Sequence, residues 1–235
     1  MNKRILTLGL ITLLSFSMAA TNMAEPDKAE RYKGHKHRGE HQGFGDTEKY
    51  IKRFEDPVRA EWQKPDLVVE MLDLQPGMNV ADIGAATGYF TRRMAKKLMP
   101  GGYALAVDIE DGFFPYLLKR GYEEGVFNMF PVKGRPDDPR LPARSLDVVL
   151  IVDTLHHISD RADYYQKLKA ALRDGGRVVI VDFKKDEEIP VGPGPEMRLR
   201  ATEVKKEFEN AGFTAEIDSE TLPYQYILTA TIGGR

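Results

Sequence analysis

A short apolar strand, a turn containing two glycines and an amphipathic helix follow one another in the stretch NVADIGAATGYFTRRMA, which begins at Asn79. The predicted strand carries a single acid, Asp82, and the turn that follows is bounded by Gly84 and Gly88. Apolar residues recur on one face of the predicted helix at Phe90, Met94 and Leu98. A strand, a glycine turn and a helix N-terminus point backbone N–H groups at an anionic ligand group, so this stretch predicts a cofactor site.

The rest of the chain alternates between apolar strands and amphipathic helices. After a helical segment at 47–76, strands are predicted at 80–83, 103–107, 126–132, 146–152, 177–183, 213–218 and 224–232. Further helices are predicted at 113–120, 160–172 and 202–211. The last two strands are joined by a connection so short that they must pair antiparallel. The sequence therefore predicts an α/β fold: a Rossmann-like, seven-stranded, mostly parallel sheet with helices on both faces and an antiparallel last strand.

The first 20 residues, MNKRILTLGLITLLSFSMAA, have the layout of a secretory signal peptide, with Lys3 and Arg4 before an apolar run and small residues after it. The apolar run is shorter than the ~20 residues that a membrane-spanning helix requires, so no stable membrane span is expected after cleavage. An uncleaved anchor and a buried N-terminal helix are the alternatives. The sequence thus predicts an exported, periplasmic protein.

A polar segment at 21–46 follows, rich in His, Lys and Glu and without apolar periodicity, which predicts a flexible linker. His35, His37 and His41 lie in this segment. Their spacing matches no defined metal site, so no metal is predicted, and their role is left open. The predicted folded domain covers 47–235.

Composition and one residue of the turn remove several classes of function. The chain has no cysteine, which excludes disulfides, thiolate metal sites and a cysteine nucleophile. Its formal net charge is −2, so no basic field favours nucleic acid, and no nucleic-acid partner is predicted. A dinucleotide turn needs a third glycine for close helix–strand packing. The bulky Tyr89 stands at that position and argues against a nicotinamide cofactor.

Four motifs come in order along the chain: VADIGAATGYF, AVDIE, LDVVLIVDTLHHI and GGRVVIVDF. Together with the strand pattern they resemble the class I S-adenosylmethionine-dependent methyltransferases. Within that family the chain is most similar to the small-molecule branch that includes the ubiquinone/menaquinone-biosynthesis methyltransferases. The resemblance covers about residues 71–232. It implies a methyltransferase domain that binds S-adenosyl-L-methionine and transfers a methyl group to a small-molecule acceptor; the oligomeric state is left open.

The resemblance assigns the glycine turn to the methionine part of the cofactor, and it implies that Asp82 accepts a hydrogen bond from the cofactor ammonium. Gly84 and Gly88 permit backbone torsions and a close approach that a Cβ would block. The middle glycine of the family is Ala86 in this chain. Its additional methyl group is expected to narrow the approach to the cofactor.

Asp108 lies 20 residues beyond Gly88, which is close to the distance of about 20 residues at which a dinucleotide fold places a ribose-binding acid. A carboxylate there can accept hydrogen bonds from both ribose hydroxyls, and by resemblance Ile109 flanks the adenine. The resemblance implies that an acid in the loop after the third strand contacts the adenine amine, and Asp138, or its neighbour Asp137, is predicted to do so from a shifted loop. The alternative is that both are solvated loop acids.

Four polar residues follow the fourth predicted strand, where open α/β sheets place the ligand crevice: Asp153, Thr154, His156 and His157. Asp153 or His156 is predicted to orient the substrate or to accept its proton, and at least one of the two histidines is expected to pack structurally. Trp62, the only tryptophan, is predicted to be a packing anchor, with a substrate-contacting lid residue as the alternative.

Two functional hypotheses follow from the sequence. The first is the small-molecule methyltransferase; a nucleic-acid methyltransferase is disfavoured because residues 153–156 lack an Asp/Asn-Pro-Pro-aromatic motif. The alternative is a catalytically inactive S-adenosylmethionine-binding module in the cell envelope, because the cofactor is made in the cytoplasm and the signal peptide directs the chain out of it. The same conflict leaves a cytoplasmic location as the alternative to the periplasm.

Overall fold

The computed structural model describes residues 47–233. The strands in this part of the chain are β1 (Asn79–Ile83), β2 (Tyr103–Asp108), β3 (Met129–Lys133), β4 (Leu146–Val152), β5 (Leu172–Phe183), β6 (Thr214–Asp218) and β7 (Gln225–Thr231). The predicted signal peptide, the predicted linker and its three histidines, His35, His37 and His41, lie outside the described residues.

Helices precede the sheet and alternate with its strands. They are α1 (Thr47–Phe54), α2 (Val58–Gln63), α3 (Pro65–Met71), α4 (Tyr89–Lys97), α5 (Phe114–Glu123), α6 (Arg161–Ala171) and α7 (Ala201–Asn210). Single 3₁₀ turns lie at Asp111–Phe113, Leu155–His157 and Pro195–Met197.

The seven strands form one sheet in the order β3-β2-β1-β4-β5-β7-β6. The β1–β2, β1–β4, β2–β3 and β4–β5 pairs are parallel. Strand β7 lies between β5 and β6 and runs antiparallel to both. The prediction of a Rossmann-like, mostly parallel sheet with a reversed last strand is therefore confirmed.

Apolar side chains fill a layer on each face of the sheet. In β1, Val80 belongs to the layer that contains Met94 of α4, whereas Ala81 belongs to the layer that contains Tyr165 of α6 and Phe208 of α7. All five of these side chains are buried. Burial on both faces explains why the sequences of β1 and β4 are almost unbroken apolar runs.

Strand β3 begins later than the sequence predicted, at Met129. Val126 is buried in an apolar layer without joining the sheet. The side-chain amide of Asn128 donates hydrogen bonds to the carbonyls of Ala95 and Gly102, at 2.9 and 3.0 Å. The segment before Met129 is thus held against the end of α4 and the start of β2, and only then does the chain join the sheet edge.

Strand β5 begins at Leu172, where the sequence predicted a helix end. Leu172 pairs with Leu146 of β4, and the register then shifts before Arg177 pairs with Val148. Gly175, at φ +76°, lies in the irregular stretch between them. Gly175 and Gly176 therefore lie within an irregular stretch of the strand.

No helix within 47–233 is both long and apolar enough to cross a membrane. Over the same residues, no group of three or more His, Asp or Glu side chains is placed to hold a metal ion.

Candidate active site

A cavity of about 680 Å³ lies at the C-terminal ends of β1, β2, β4 and β5. The strand order reverses between β1 and β4, which is the switch point where open α/β sheets bind their ligands. The glycine turn after β1 and the DTLHH segment after β4 both line this cavity, and α1 and α2 add side chains to its wall. The two regions that the sequence singled out for cofactor and acceptor therefore meet in one space.

The glycine turn has backbone torsions that L-residues rarely adopt. Gly84 has φ +76°, and a Cβ built on it would lie 2.1 Å from Oγ1 of Thr154, so a side chain is blocked there. Gly88 has φ +74° and begins α4. Ala86 adopts a left-handed φ of +44° in spite of its Cβ, and its N–H donates to Oδ2 of Asp108 at 2.7 Å. That hydrogen bond fixes the middle of the turn to the end of β2.

Asp82 lies at the end of β1, buried but in the wall of the cavity. Its Oδ2 accepts a hydrogen bond from Oγ1 of Thr91 at 2.6 Å. Burial raises the pKa of Asp82 to about 6; the Thr91 hydrogen bond opposes this rise, and the nearby charge of Asp108 adds to it. A bound cation would offset the desolvation of this carboxylate.

Asp108 ends β2 and also lines the cavity. Its two oxygens accept hydrogen bonds from the backbone N–H of Ala86, at 2.7 Å, and of Glu110, at 2.8 Å. Burial raises the pKa of Asp108, and these two hydrogen bonds oppose the rise. Ile109 follows in the cavity wall. The turn and the predicted ribose-binding acid are thus one connected unit.

Asp138 is not among the described residues that line the cavity. Its Oδ1 accepts a hydrogen bond from the N–H of Arg140 at 2.8 Å, and its backbone pairs with Arg135 at 2.7 and 3.2 Å. In the predicted position the wall is formed instead by Gly134, Arg135 and Pro136. The loop folds so that the Asp138 carboxylate caps a turn, and the structure does not bring it to the other predicted cofactor residues.

Asp153 follows β4 in a left-handed backbone conformation, with φ +52°. Its Oδ2 accepts a hydrogen bond from Nε2 of Gln63 at 2.8 Å, and its Oδ1 accepts one from Nε2 of Gln225. The Arg59 guanidinium lies 3.7 Å from Oδ2. Burial raises the pKa of Asp153 to about 6, Arg59 works against this rise and Asp182 adds to it.

His156 lies in the 3₁₀ turn after β4 and also lines the cavity. Its Nδ1 lies 3.0 and 3.1 Å from the two carboxylate oxygens of Asp182, a fully buried residue near the end of β5. Burial lowers the pKa of His156, but the charge and hydrogen bond of Asp182, with Asp153 behind them, outweigh it and raise the pKa above its ordinary value. His157 is exposed, with its ring centroid 4.3 Å from that of His156.

Comparison with known proteins agrees with this geometry. A family profile described as a methyltransferase domain matches residues 81–178. A solved structure described as a SAM-dependent methyltransferase from Aquifex aeolicus superposes with a TM-score of 0.73 at 27% identity, over 80% of this chain and 98% of that one. Residues 81–178 therefore carry a methyltransferase domain, and the chain has the fold of the class I S-adenosylmethionine-dependent methyltransferases.

Curated relatives match this chain over part of their length. A ubiquinone/menaquinone biosynthesis C-methyltransferase from Ectopseudomonas mendocina is 28% identical over 125 residues, which are 53% of this chain and 48% of that protein. Phosphoethanolamine N-methyltransferase 1 from Zea mays is 28% identical over 138 residues, or 59% of this chain and 26% of that protein. The chain thus spans about half or less of the length of these relatives.

S-adenosylmethionine is the cofactor that the methyltransferase domain implies, and the residues of the cavity fit it. The hydroxyl of Thr87, in the glycine turn, is buried without a hydrogen-bond partner among the described residues. Asp82 and Asp108 present carboxylates to the same cavity, where a ligand ammonium and ribose hydroxyls are complementary donors. The cofactor residues Asp82, Gly84, Ala86, Gly88, Asp108 and Ile109 therefore lie together as predicted, and their contacts with the cofactor stay a prediction.

Four residues of the site were not predicted from the sequence: Arg59, Gln63, Asp182 and Gln225. Gln63 and Gln225 are fully buried and lie 90 and 72 positions from Asp153 along the chain. No local pattern marks such a distant pairing. Asp182 did carry a signal, because an acid near the end of an apolar strand of a parallel sheet is placed at the ligand edge.

Helix α2 contributes side chains to the cavity wall beside Asp153. Trp62 is buried against Phe183, at a ring distance of 5.8 Å, and against Tyr224, at 6.4 Å, while it also lines the cavity. Packing anchor and cavity wall are thus combined in this residue. The guanidinium of Arg59 lies 4.6 Å from the ring centroid of Tyr89 at the start of α4. Tyr89, which argued against a dinucleotide turn, thus makes a cation–π contact with Arg59 of α2.

Proposed function

We propose that the protein transfers a methyl group from S-adenosylmethionine to a small-molecule acceptor. The observation that carries this proposal is the continuity of the cavity, which joins the glycine turn, Asp82 and Asp108 to Asp153 and His156. The bound cofactor supplies a methyl group made electrophilic by a sulfonium. Direct displacement requires alignment of acceptor and methyl group more than a protein nucleophile, so holding both in one cavity is a large part of the catalysis.

The chain's own residues divide the work of binding. The turn and Asp82 hold the methionine end of the cofactor, and Asp108 accepts from the ribose hydroxyls. On the acceptor side, Trp62 and Phe183 provide aromatic walls, and Asp153 provides a fixed carboxylate. An apolar wall with a few polar groups suits a small organic acceptor that carries one exchangeable proton. Two curated relatives, named as a ubiquinone/menaquinone biosynthesis C-methyltransferase and a phosphoethanolamine N-methyltransferase, support an acceptor of this size.

The methyl-transfer test uses the full chain and S-adenosylmethionine labelled in its methyl group, with a panel of phenols, hydroquinones and small amines. We expect label in at least one acceptor, and at least tenfold less with Asp108→Ala. Asp174→Ala, at an exposed surface acid, is the matched control and should retain full transfer. Label in no acceptor, despite cofactor binding, would favour the inactive binding module instead.

We also propose export to the periplasm, which is supported by the composition of residues 1–20. Mass spectrometry of the chain recovered from its native host tests this point directly. A mature N-terminus near residue 20 is expected, and an intact Met1 in the cytoplasmic fraction would contradict export.

A further inference from the structure

The pair formed by His156 and Asp182 is not among the residues assigned to the cofactor. Asp182 is fully buried, and both of its oxygens lie within 3.1 Å of Nδ1 of His156. One of these oxygens also accepts the backbone N–H of Phe183 at 2.8 Å, which fixes the carboxylate. Such an acid fixes the tautomer of the imidazole: Nδ1 carries the hydrogen, and Nε2 is left to exchange a proton.

The other acid of the acceptor side is arranged differently. Both oxygens of Asp153 accept side-chain amide hydrogens, one from Gln63 and one from Gln225. Gln63 is itself oriented, because its Oε1 accepts from Nε of Arg59. These donors stabilise the ionised carboxylate and occupy positions at which it would take up a proton. Asp153 is therefore suited to orient the acceptor and to support a positive charge on His156.

We propose that His156 accepts the proton that the methyl acceptor loses, and that Asp182 is the positioning residue that fixes its ring and tautomer. This inference rests on the proposed methyl transfer. As the acceptor's X–H bond breaks, its proton goes to the lone pair on Nε2. The acceptor's electron pair forms the new bond to the methyl carbon, and the pair of the broken carbon–sulfur bond stays on sulfur. The imidazolium then returns its proton to solvent.

The charged and titratable groups around His156 come from several elements. They are Asp182 on β5, Asp153 after β4, His157 beside it, Tyr226 on β7 and, behind Asp153, Arg59 on α2. The two acids favour the imidazolium form of His156. The rate of methyl transfer is therefore expected to rise with pH as the His156 imidazolium loses its proton. The midpoint of this rise should lie above the ordinary histidine pKa of 6.5.

The first test needs neither acceptor nor cofactor. Nitrogen NMR of the full chain labelled in its histidines is recorded across pH, and His156→Gln identifies the His156 signals. We expect neutral His156 to carry its hydrogen on Nδ1 and to titrate above 6.5. In Asp182→Asn the pKa of His156 should fall, because the carboxylate that raises it is lost. A hydrogen on Nε2 in the neutral wild-type ring would overturn the proposal, and so would an unchanged pKa of His156 in Asp182→Asn. If that variant does not fold, the wild-type tautomer alone decides.

The second test uses the acceptor that gives most label in the transfer panel. His156→Gln should lower kcat at least tenfold, with the KM for S-adenosylmethionine changed less than twofold. Asp182→Asn should move the acidic limb of the pH–rate profile to lower pH, and Asp182→Glu should restore part of the rate. Full kcat in His156→Gln would overturn the proposal while leaving methyl transfer intact. Failure of the wild-type chain to bind S-adenosylmethionine would instead contradict the proposed function.

Discussion

Replacing Asp82 with asparagine is expected to stabilise the ligand-free protein at neutral pH. The side chain is buried, and burial raises its pKa from 3.8 to about 6. Because the folded pKa is above the unfolded one, the folded state gains stability from protonation below about pH 4 and loses it as the pH rises through 6. The difference between the two pKa values corresponds to about 3 kcal/mol at neutral pH, which is an upper bound. Asparagine avoids this ionisation and can still accept from Thr91.

Urea unfolding at pH 7.5 and pH 4 measures this effect, with Asp174→Asn as a surface control. Asp82→Asn should unfold at higher urea than wild type at pH 7.5, by up to about 3 kcal/mol, and the gain should shrink towards zero at pH 4. The control should differ little from wild type at either pH. Equal or lower stability of Asp82→Asn at pH 7.5 would refute the assignment of Asp82 as a desolvated, ionised site acid.

The same variant is expected to bind S-adenosylmethionine more weakly. Loss of a hydrogen bond to a charged group typically corresponds to about 1.5–3 kcal/mol, so affinity should fall roughly 10- to 100-fold. A gain in stability together with a loss of affinity would identify Asp82 as a residue kept for binding at the expense of folding. Unchanged affinity measured by calorimetry would remove Asp82 from the cofactor site.

Two further substitutions test the geometry of the site. Gly84→Ala should destabilise the fold by about 1–3 kcal/mol more than Gly77→Ala in urea unfolding, because both glycines have positive φ but only at Gly84 would the new methyl group meet Thr154. Equal losses would show that the Thr154 contact is unimportant. Gln63→Ala should cost about 1–3 kcal/mol of stability and raise the pKa of Asp153, since a buried amide donor is lost. Carbon NMR of the Asp153 carboxyl measures this pKa, and an unchanged titration in the variant would contradict the prediction.

The sheet and the cofactor half of the cavity could be predicted because their signals are local. Strand β4 is an apolar run that is buried on both faces, and its predicted ends are those of the structure. The turn from Gly84 to Gly88 reads as a ligand turn because its torsions demand small residues. Asp108 lies at a fixed distance along the chain from that turn, and the strand order of the fold brings the two together.

The acceptor half was less predictable because its contacts join distant parts of the chain. Gln63 and Gln225 reach Asp153 only when α2 and β7 have packed against the sheet. Asp138 lies outside the cavity wall for the opposite reason: its loop closes on itself, and its Oδ1 accepts a local hydrogen bond from the N–H of Arg140. Residue type alone therefore did not distinguish an acid that lines the cavity, such as Asp153, from one that caps its own loop, such as Asp138.

Calorimetric titration of the full chain with S-adenosylmethionine tests the central claim most directly. One molecule should bind per chain, and Asp108→Ala should lower the affinity at least tenfold, because the carboxylate that accepts from the ribose is lost together with its hydrogen bond to the turn. Asp174→Ala should bind as wild type does. Absence of binding, or equal binding by wild type and Asp108→Ala, would contradict the assignment of this cavity to the cofactor.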